Sequence, residues 1–293
     1  MGEVWSATDL KTGEDVAVKL AQSWVATEPE LVERFELEAK LLKRLKSPFV
    51  CALVDAGRDR DVPFMVLERL TGETVEELLA REGSLPLDEV GRIADEILQA
   101  LVIAHGAGIV HRDLSPSNVF LHRTRQGKAL TKLVDFGVAK AADSGIEAPR
   151  TGAGSTLGSL AYVAPEQLGD SAKAGPRADL YAVGTIVFRA LTGRMPYGDA
   201  QGTALVVLKR EAEPQTIDEA TGESWPAALR SFLTKTIARS PAKRYASADV
   251  ALVAWRDVVR GKRPRLTLPE KPIEATTTLT LGDPTGKRKG KGT

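Results

Sequence analysis

Over the first seventy positions, short apolar runs alternate with turn-forming residues; beyond them, longer apolar stripes at helical spacing take over. Val16–Leu20 is a run with β-branched residues, preceded by the turn-prone Lys11-Thr12-Gly13-Glu14-Asp15, so Val4–Thr8 is its expected hairpin partner. Leu31, Phe35, Leu37, Leu41, Leu42 and Leu45 predict a helix over 29–46, with Pro29 near its start and Pro48 past its end. Two more apolar runs, Phe49–Val54 and Val62–Leu67, predict strands, and Asp55–Asp59 between them reads as a turn.

After Thr71 the pattern predicts a short helix around Val75, Leu78 and Leu79, then a long one over 87–107. Val119–Leu121 and Leu130–Val134 flank Gln126-Gly127-Lys128 as a second hairpin, and further helices are expected over 178–192, 203–211, 226–238 and 247–260. Residues 141–159, rich in Gly, Ser, Thr and Ala, have no periodicity and read as a mobile loop. The stretch after Gly261 carries four prolines and few large apolar residues, so disorder is expected there.

Composition narrows the class. With 43% hydrophobic and 27% charged residues, 293 residues suit a globular protein of one two-lobed domain or two small ones. A single cysteine, Cys51, excludes a disulfide scaffold and fits a reducing compartment, here the cytoplasm. A net charge of +1 gives no reason to expect specific nucleic-acid binding, and no apolar run is long enough for a membrane span. The charge is uneven, with eight Lys/Arg against three Asp/Glu over 261–293.

The candidate chemistry lies in an ordered set of short motifs. His111-Arg112-Asp113-Leu114-Ser115-Pro116-Ser117-Asn118 is followed, seventeen residues after Asn118, by Asp135-Phe136-Gly137, and later by Ala164-Pro165-Glu166. Upstream, Val16-Ala17-Val18-Lys19 lies on a predicted strand and Glu38 on the helix after it. Each word alone is common; the order and spacing together are not.

On these residues the chain resembles the bacterial branch of the eukaryotic-like (Hanks-type) serine/threonine protein kinases over roughly residues 1–260. The resemblance implies an α+β, bilobal kinase fold: a small antiparallel-sheet lobe with one helix over 1–69, a larger, mainly helical lobe over 70–261, and a basic tail over 262–293. It implies ATP and Mg²⁺ as cofactors, with Mn²⁺ as a substitute, and protein substrates with Ser/Thr acceptors. Lys19 would hold the α- and β-phosphates, and Glu38 would orient it, with Glu36 and Glu33 as alternatives. Asp135 and Asn118 would hold the metal, and Asp113 would accept the proton of the acceptor hydroxyl. Leu67 would be the gatekeeper, Glu68 to Leu70 the hinge at adenine, and Gly2, Val4 and Ala17 would complete the nucleotide pocket.

Two positions depart from the family pattern. Of G-x-G-x-x-G-x-V only the end is present, Gly2 and Val4, so the chain reads as truncated within the Gly-rich loop, a start assigned at an internal methionine. Ser115 stands where these kinases usually place a Lys at the γ-phosphate; losing such a charge costs about 10²–10³ in rate. Arg112 would pair with a phosphorylated loop residue, for which Thr151, Ser155 and Thr156 are candidates. Ser159 would bond Asp113, Glu166 would pair with Arg244, and Asp179 would brace the Asp113 loop, with Gly184 permitting close packing. His105 and His122 show no evident partner, and Cys51 reads as a small buried hydrophobe. Thr276, Thr277, Thr278 and Thr280 are candidate autophosphorylation sites for a phosphothreonine-reading module. The competing readings are a pseudokinase or scaffold, against which the retention of Lys19, Asp113, Asn118 and Asp135 argues, and a small-molecule phosphotransferase, which Ala164-Pro165-Glu166 disfavours.

Overall fold

Seven strands and eight helices are seen in the computed structural model, which describes residues 2–22, 24–25, 28–124, 126–136, 159–169 and 174–261. The first hairpin forms as the turn chemistry requires: β1 (Gly2–Thr8) pairs antiparallel with β2 (Asp15–Ala21), and Gly13 supplies a positive φ at the turn. The helix α1 (Pro29–Leu42) follows, starting at a proline whose missing N–H costs nothing there. It stops short of the predicted 46; Leu45 is still buried, in a turn closed by its own N–H to the Leu42 carbonyl, ahead of Pro48.

The segment Asp55–Asp59 is not a turn. It is the greater part of β3 (Leu53–Asp59), which pairs with β4 (Val62–Glu68). Its polar residues are strand because this side of the sheet faces water; the reversal falls on Arg60 and Asp61, both at positive φ. Of the predicted strand Phe49–Val54 only the last two residues join β3, while Phe49 and Cys51 bond the backbone of Leu133 instead. The four-stranded sheet has the order β1-β2-β4-β3.

A second, three-stranded sheet has the order β5-β6-β7, made of β5 (Gly72–Thr74), β6 (Val119–Arg123) and β7 (Ala129–Leu133). Pattern reading did not anticipate β5, three residues being too few for a periodicity. The helices α2 (Val75–Glu82) and α3 (Leu87–Gly106) come between β5 and β6. Thr74 and Glu77 close a capping box at the start of α2.

The helical core is built around α4 (Pro176–Thr192), buried on every side from Ala178 to Val187. Against it pack α3 and α7 (Ala227–Thr236), and α8 (Ala248–Arg260) packs along α3, with Trp255 Nε1 bonding the Gly91 carbonyl at 2.9 Å. Gly184 lets α4 and α7 touch, since a Cβ there would lie 2.4 Å from Thr236 Oγ1. The remaining helices are α5 (Gly202–Glu211) and the short α6 (Ile217–Thr221), which the apolar pattern also missed. The predicted mobile loop, apart from its last residue, and the tail over 262–293 lie outside the described residues. Among the described residues no helix is long and apolar enough to cross a membrane.

Candidate active site

The β6–β7 hairpin explains why two motifs far apart in sequence meet. Val119 pairs with Leu133, and one step outward the Val134 N–H bonds the Asn118 carbonyl at 3.0 Å. Asn118 and Asp135 therefore leave the hairpin side by side. Asn118 Nδ2 also donates to the Asp113 carbonyl at 2.7 Å, closing the loop that Leu114 and Pro116 anchor in the core.

On the four-stranded sheet, Ala17 and Lys19 share the face of β2 on which Leu67 and Met65 of β4 and Val4 of β1 lie, as the register requires. Lys19 Nζ lies 3.0 Å from Glu38 Oε1 on α1 and 2.7 Å from Asp135 Oδ1. Burial alone would push the Lys19 ammonium down, but the two carboxylates outweigh it and hold its pKa above the ordinary value. Of the three candidate glutamates, Glu38 is the one seen at Lys19, and Glu36 is engaged elsewhere, with Arg58 at 2.6 Å. Asp135 is 57% exposed and Asn118 half-buried, so two oxygen-bearing side chains are reachable from solvent. Among the described residues no cluster of three or more His, Cys, Asp or Glu forms a metal site. Two protein oxygens are nevertheless what Mg²⁺ takes when phosphates and water complete its octahedron, so this pair fits such an ion.

The Asp113 loop is held in a strained shape. Arg112 and Asp135 sit at φ of 62° and 51°, each costing about 1–3 kcal/mol for a non-glycine residue. The brace is Asp179, 1% exposed, whose two carboxylate oxygens accept the N–H groups of His111 and Arg112 at 2.8 Å each. His105 Nε2 lies 2.8 Å from the same carboxylate. His111, fully buried, is held below its ordinary pKa by burial against the pull of Asp179, and its ring packs 4.5 Å from that of Phe136. Asp179→Asn replaces one acceptor oxygen by an amide facing a backbone N–H or the His105 ring. It should cost about 2–3 kcal/mol in urea unfolding; a loss below a few tenths would show that the brace is unnecessary.

Other predicted residues are placed as follows. Glu166 and Arg244 form a two-pronged ion pair at 2.7 and 2.8 Å. Ser115 is buried with its hydroxyl 2.9 Å from that of Ser117. The Glu68 carboxylate turns back to the Ala52 N–H and to Lys132 Nζ, at 2.7 and 2.5 Å, tying the end of β4 to β7. Arg112 donates through Nε to the Ala174 carbonyl. Thr151, Ser155, Thr156 and the Ser159 side chain lie outside the described residues. Cys51 is buried, its thiol pushed up to about 12 chiefly by burial.

The histidines correct the expectation of no partner: His105 bonds Asp179, and His122 Nδ1 accepts the Thr71 N–H at 3.1 Å. Sequence reasoning also missed Lys132 and Lys209, both buried cations. Each occupies an inward position of a strand or helix, where an apolar residue is the norm, and that mismatch is the signal that would have found them.

The protein kinase domain model matches residues 1–255. The chain is 34% identical over 270 residues to serine/threonine-protein kinase PknA of Mycobacterium tuberculosis, covering 90% of this chain and 60% of PknA. It is 33% identical over 283 residues to serine/threonine-protein kinase pkn3 of Myxococcus xanthus, covering 95% of this chain and 51% of that protein. The chain thus spans only part of the length of these relatives. The crystal structure of the Mycobacterium tuberculosis PknI kinase domain shares its fold, with a TM-score of 0.65 at 24% identity over 88% of this chain and 91% of that one.

Proposed function

We propose that this chain, which belongs to the protein kinase domain family, transfers the γ-phosphate of ATP to Ser and Thr hydroxyls of proteins in signal transduction. The observation that carries this is the Lys19 ammonium held between Glu38 and Asp135, three residues from three separate elements, opposite the Asp113–Asn118 loop. Phosphoryl transfer asks for little else than positioning and neutralised charge.

In this reading Lys19 binds the α- and β-phosphates and Glu38 fixes its direction. Gly2, Val4, Ala17, Leu67, Glu68 and Leu70 border the nucleotide. Kinases of this family use ATP with a divalent metal; here Asn118 and Asp135 would hold Mg²⁺, or Mn²⁺ in its place, which supplies positive charge at the phosphates. Asp113 orients the acceptor hydroxyl and takes its proton. Ser115 brings a hydroxyl but no charge, so transfer is expected to be slower than with a Lys there. Thr151, Ser155 and Thr156 are the candidate sites of autophosphorylation, read by Arg112, and the threonines of the tail are candidates for a phosphothreonine-reading partner. The buried, unreactive Cys51 thiol and the need for ATP suit the cytoplasm.

The test is to incubate the chain with Mg-ATP and, in parallel, dephosphorylated casein, choline and an aminoglycoside, and to locate phosphate by mass spectrometry. Phosphoserine and phosphothreonine on casein or on the chain itself are expected. Phosphate confined to a small molecule, or on nothing, would overturn the reading.

A further inference from the structure

Lys209 is the least expected residue of the helical core. It lies on α5, is 0% exposed, and among the described residues has no carboxylate at ion-pair distance. Glu166, the acid whose charge acts on it, is already engaged by Arg244. Its Nζ instead donates to two backbone carbonyls, Ala161 at 2.7 Å and Val163 at 2.5 Å, and sits 4.9 Å from the centre of the Tyr181 ring. Burying an amine without a counter-charge is costly, and an apolar side chain would fill this place at less cost. What the lysine supplies in return is the fixed backbone of one strip, residues 160–163.

That strip lies beside the reaction centre. Gln167 Nε2 donates to the carbonyl of Arg112, the residue before Asp113, and Gln167 Oε1 accepts the Ala164 N–H at 3.0 Å. Leu160, Ala161 and Val163 are only half-buried, so the strip keeps an open side. A protein chain presenting a hydroxyl to Asp113 has to run its neighbouring residues over the surface next to that loop.

We propose that Lys209 is a positioning residue for the protein acceptor: it pins the backbone of residues 160–163 into the shelf on which the acceptor segment lies, and so sets acceptor affinity without touching acceptor or nucleotide. The proposal rests on the protein-kinase reading above. It gives Lys209 a role on one substrate only. Without Lys209, two inward carbonyls lose their donor and the shelf loosens, while the Lys19–Glu38–Asp135 cluster, built on other elements, stays as it is.

The experiment is steady-state kinetics of the full chain with dephosphorylated casein and Mg-ATP, for wild type, Lys209→Met and Lys209→Gln. For Lys209→Met the KM for casein should rise about tenfold, with kcat and the KM for ATP within about twofold. Lys209→Gln, a neutral donor, should recover part of the affinity. Amide exchange over 159–168 should quicken in Lys209→Met and less in Lys209→Gln. A casein KM equal to wild type in Lys209→Met, or a rise shared equally by the KM for ATP, would overturn the proposal while leaving the kinase reading intact. Wild type that phosphorylates nothing would overturn the kinase reading and the proposal with it.

Folding provides the control. Burial, and after it the Arg244 guanidinium, pushes the Lys209 amine down to about 7, against the pull of Glu166. Arg244, Glu166 and Tyr181 are the groups that face it from the neighbouring elements. A depressed pKa means that wild type loses stability as pH falls from the ordinary lysine value of 10.5 through 7. Lys209→Met loses the donor of two carbonyls but carries no buried ammonium, so its stability relative to wild type should improve as pH falls from 10.5 to 7 and level off below. A variant unfolded at every pH would make Lys209 a general strut and remove the special role proposed for it.

Discussion

Asp113→Asn is expected to lower the rate of phosphate transfer to casein by about 10²–10⁴-fold, the range of a lost general base, with the fold unchanged. Groups other than the carboxylate hold the loop as well. Asn118 Nδ2 bonds the backbone carbonyl of Asp113, Leu114 anchors the next position in the core, and Asp179 holds the two N–H groups before it. Asparagine keeps the size and can still accept a hydrogen bond from the acceptor hydroxyl, but it cannot take the proton at neutral pH. Nucleotide affinity, which the proposed function assigns to Lys19 rather than to Asp113, should change less than about twofold. Initial rates and nucleotide titration on the same samples separate the two effects. Transfer above a tenth of wild type would remove Asp113 from the role of base.

How far the sequence announced this site follows from how each residue is held. The positions of Lys19, Asn118 and Asp135 were legible because backbone geometry sets them: a strand register puts Lys19 on the face of Ala17, and a hairpin register sets Asn118 beside Asp135. A motif with fixed spacing is a record of such geometry. The long helices were legible for a similar reason, since α3 and α8 bury one stripe each. What escaped was decided by tertiary contact. The polar stretch Asp55–Asp59 has no local reason to be strand and becomes one by pairing with β4. Lys209 and Lys132 stand at inward positions of an apolar pattern, but the partners that let them be buried, the carbonyls of Ala161 and Val163 and the carboxylate of Glu68, come from far along the chain. His105 gains its partner from Asp179, which is in α4, 74 positions away.

Lys19→Met should separate the two things that Lys19 does. If Lys19 holds the phosphates as proposed, removing the ammonium removes that charged contact and the rate should fall by about 10²–10³-fold. It also strands Glu38. Burial holds the Glu38 carboxyl above its ordinary pKa even with Lys19 beside it, and without Lys19 only the opposing pull is lost, so the pKa rises further. Above that raised value the variant carries a buried carboxylate with no partner and should be about 3–5 kcal/mol less stable than wild type in urea. The deficit should shrink as pH falls toward the ordinary carboxylate value of 4.5, because Glu38 then takes up a proton and no longer needs a cation. Adding Glu38→Gln removes the stranded charge, so Lys19→Met with Glu38→Gln should recover most of the stability at neutral pH and none of the rate. A double variant as unstable as the single one would mean that the pair holds α1 by packing rather than by charge. A double variant with restored transfer would mean that the phosphates are held by some group other than Lys19.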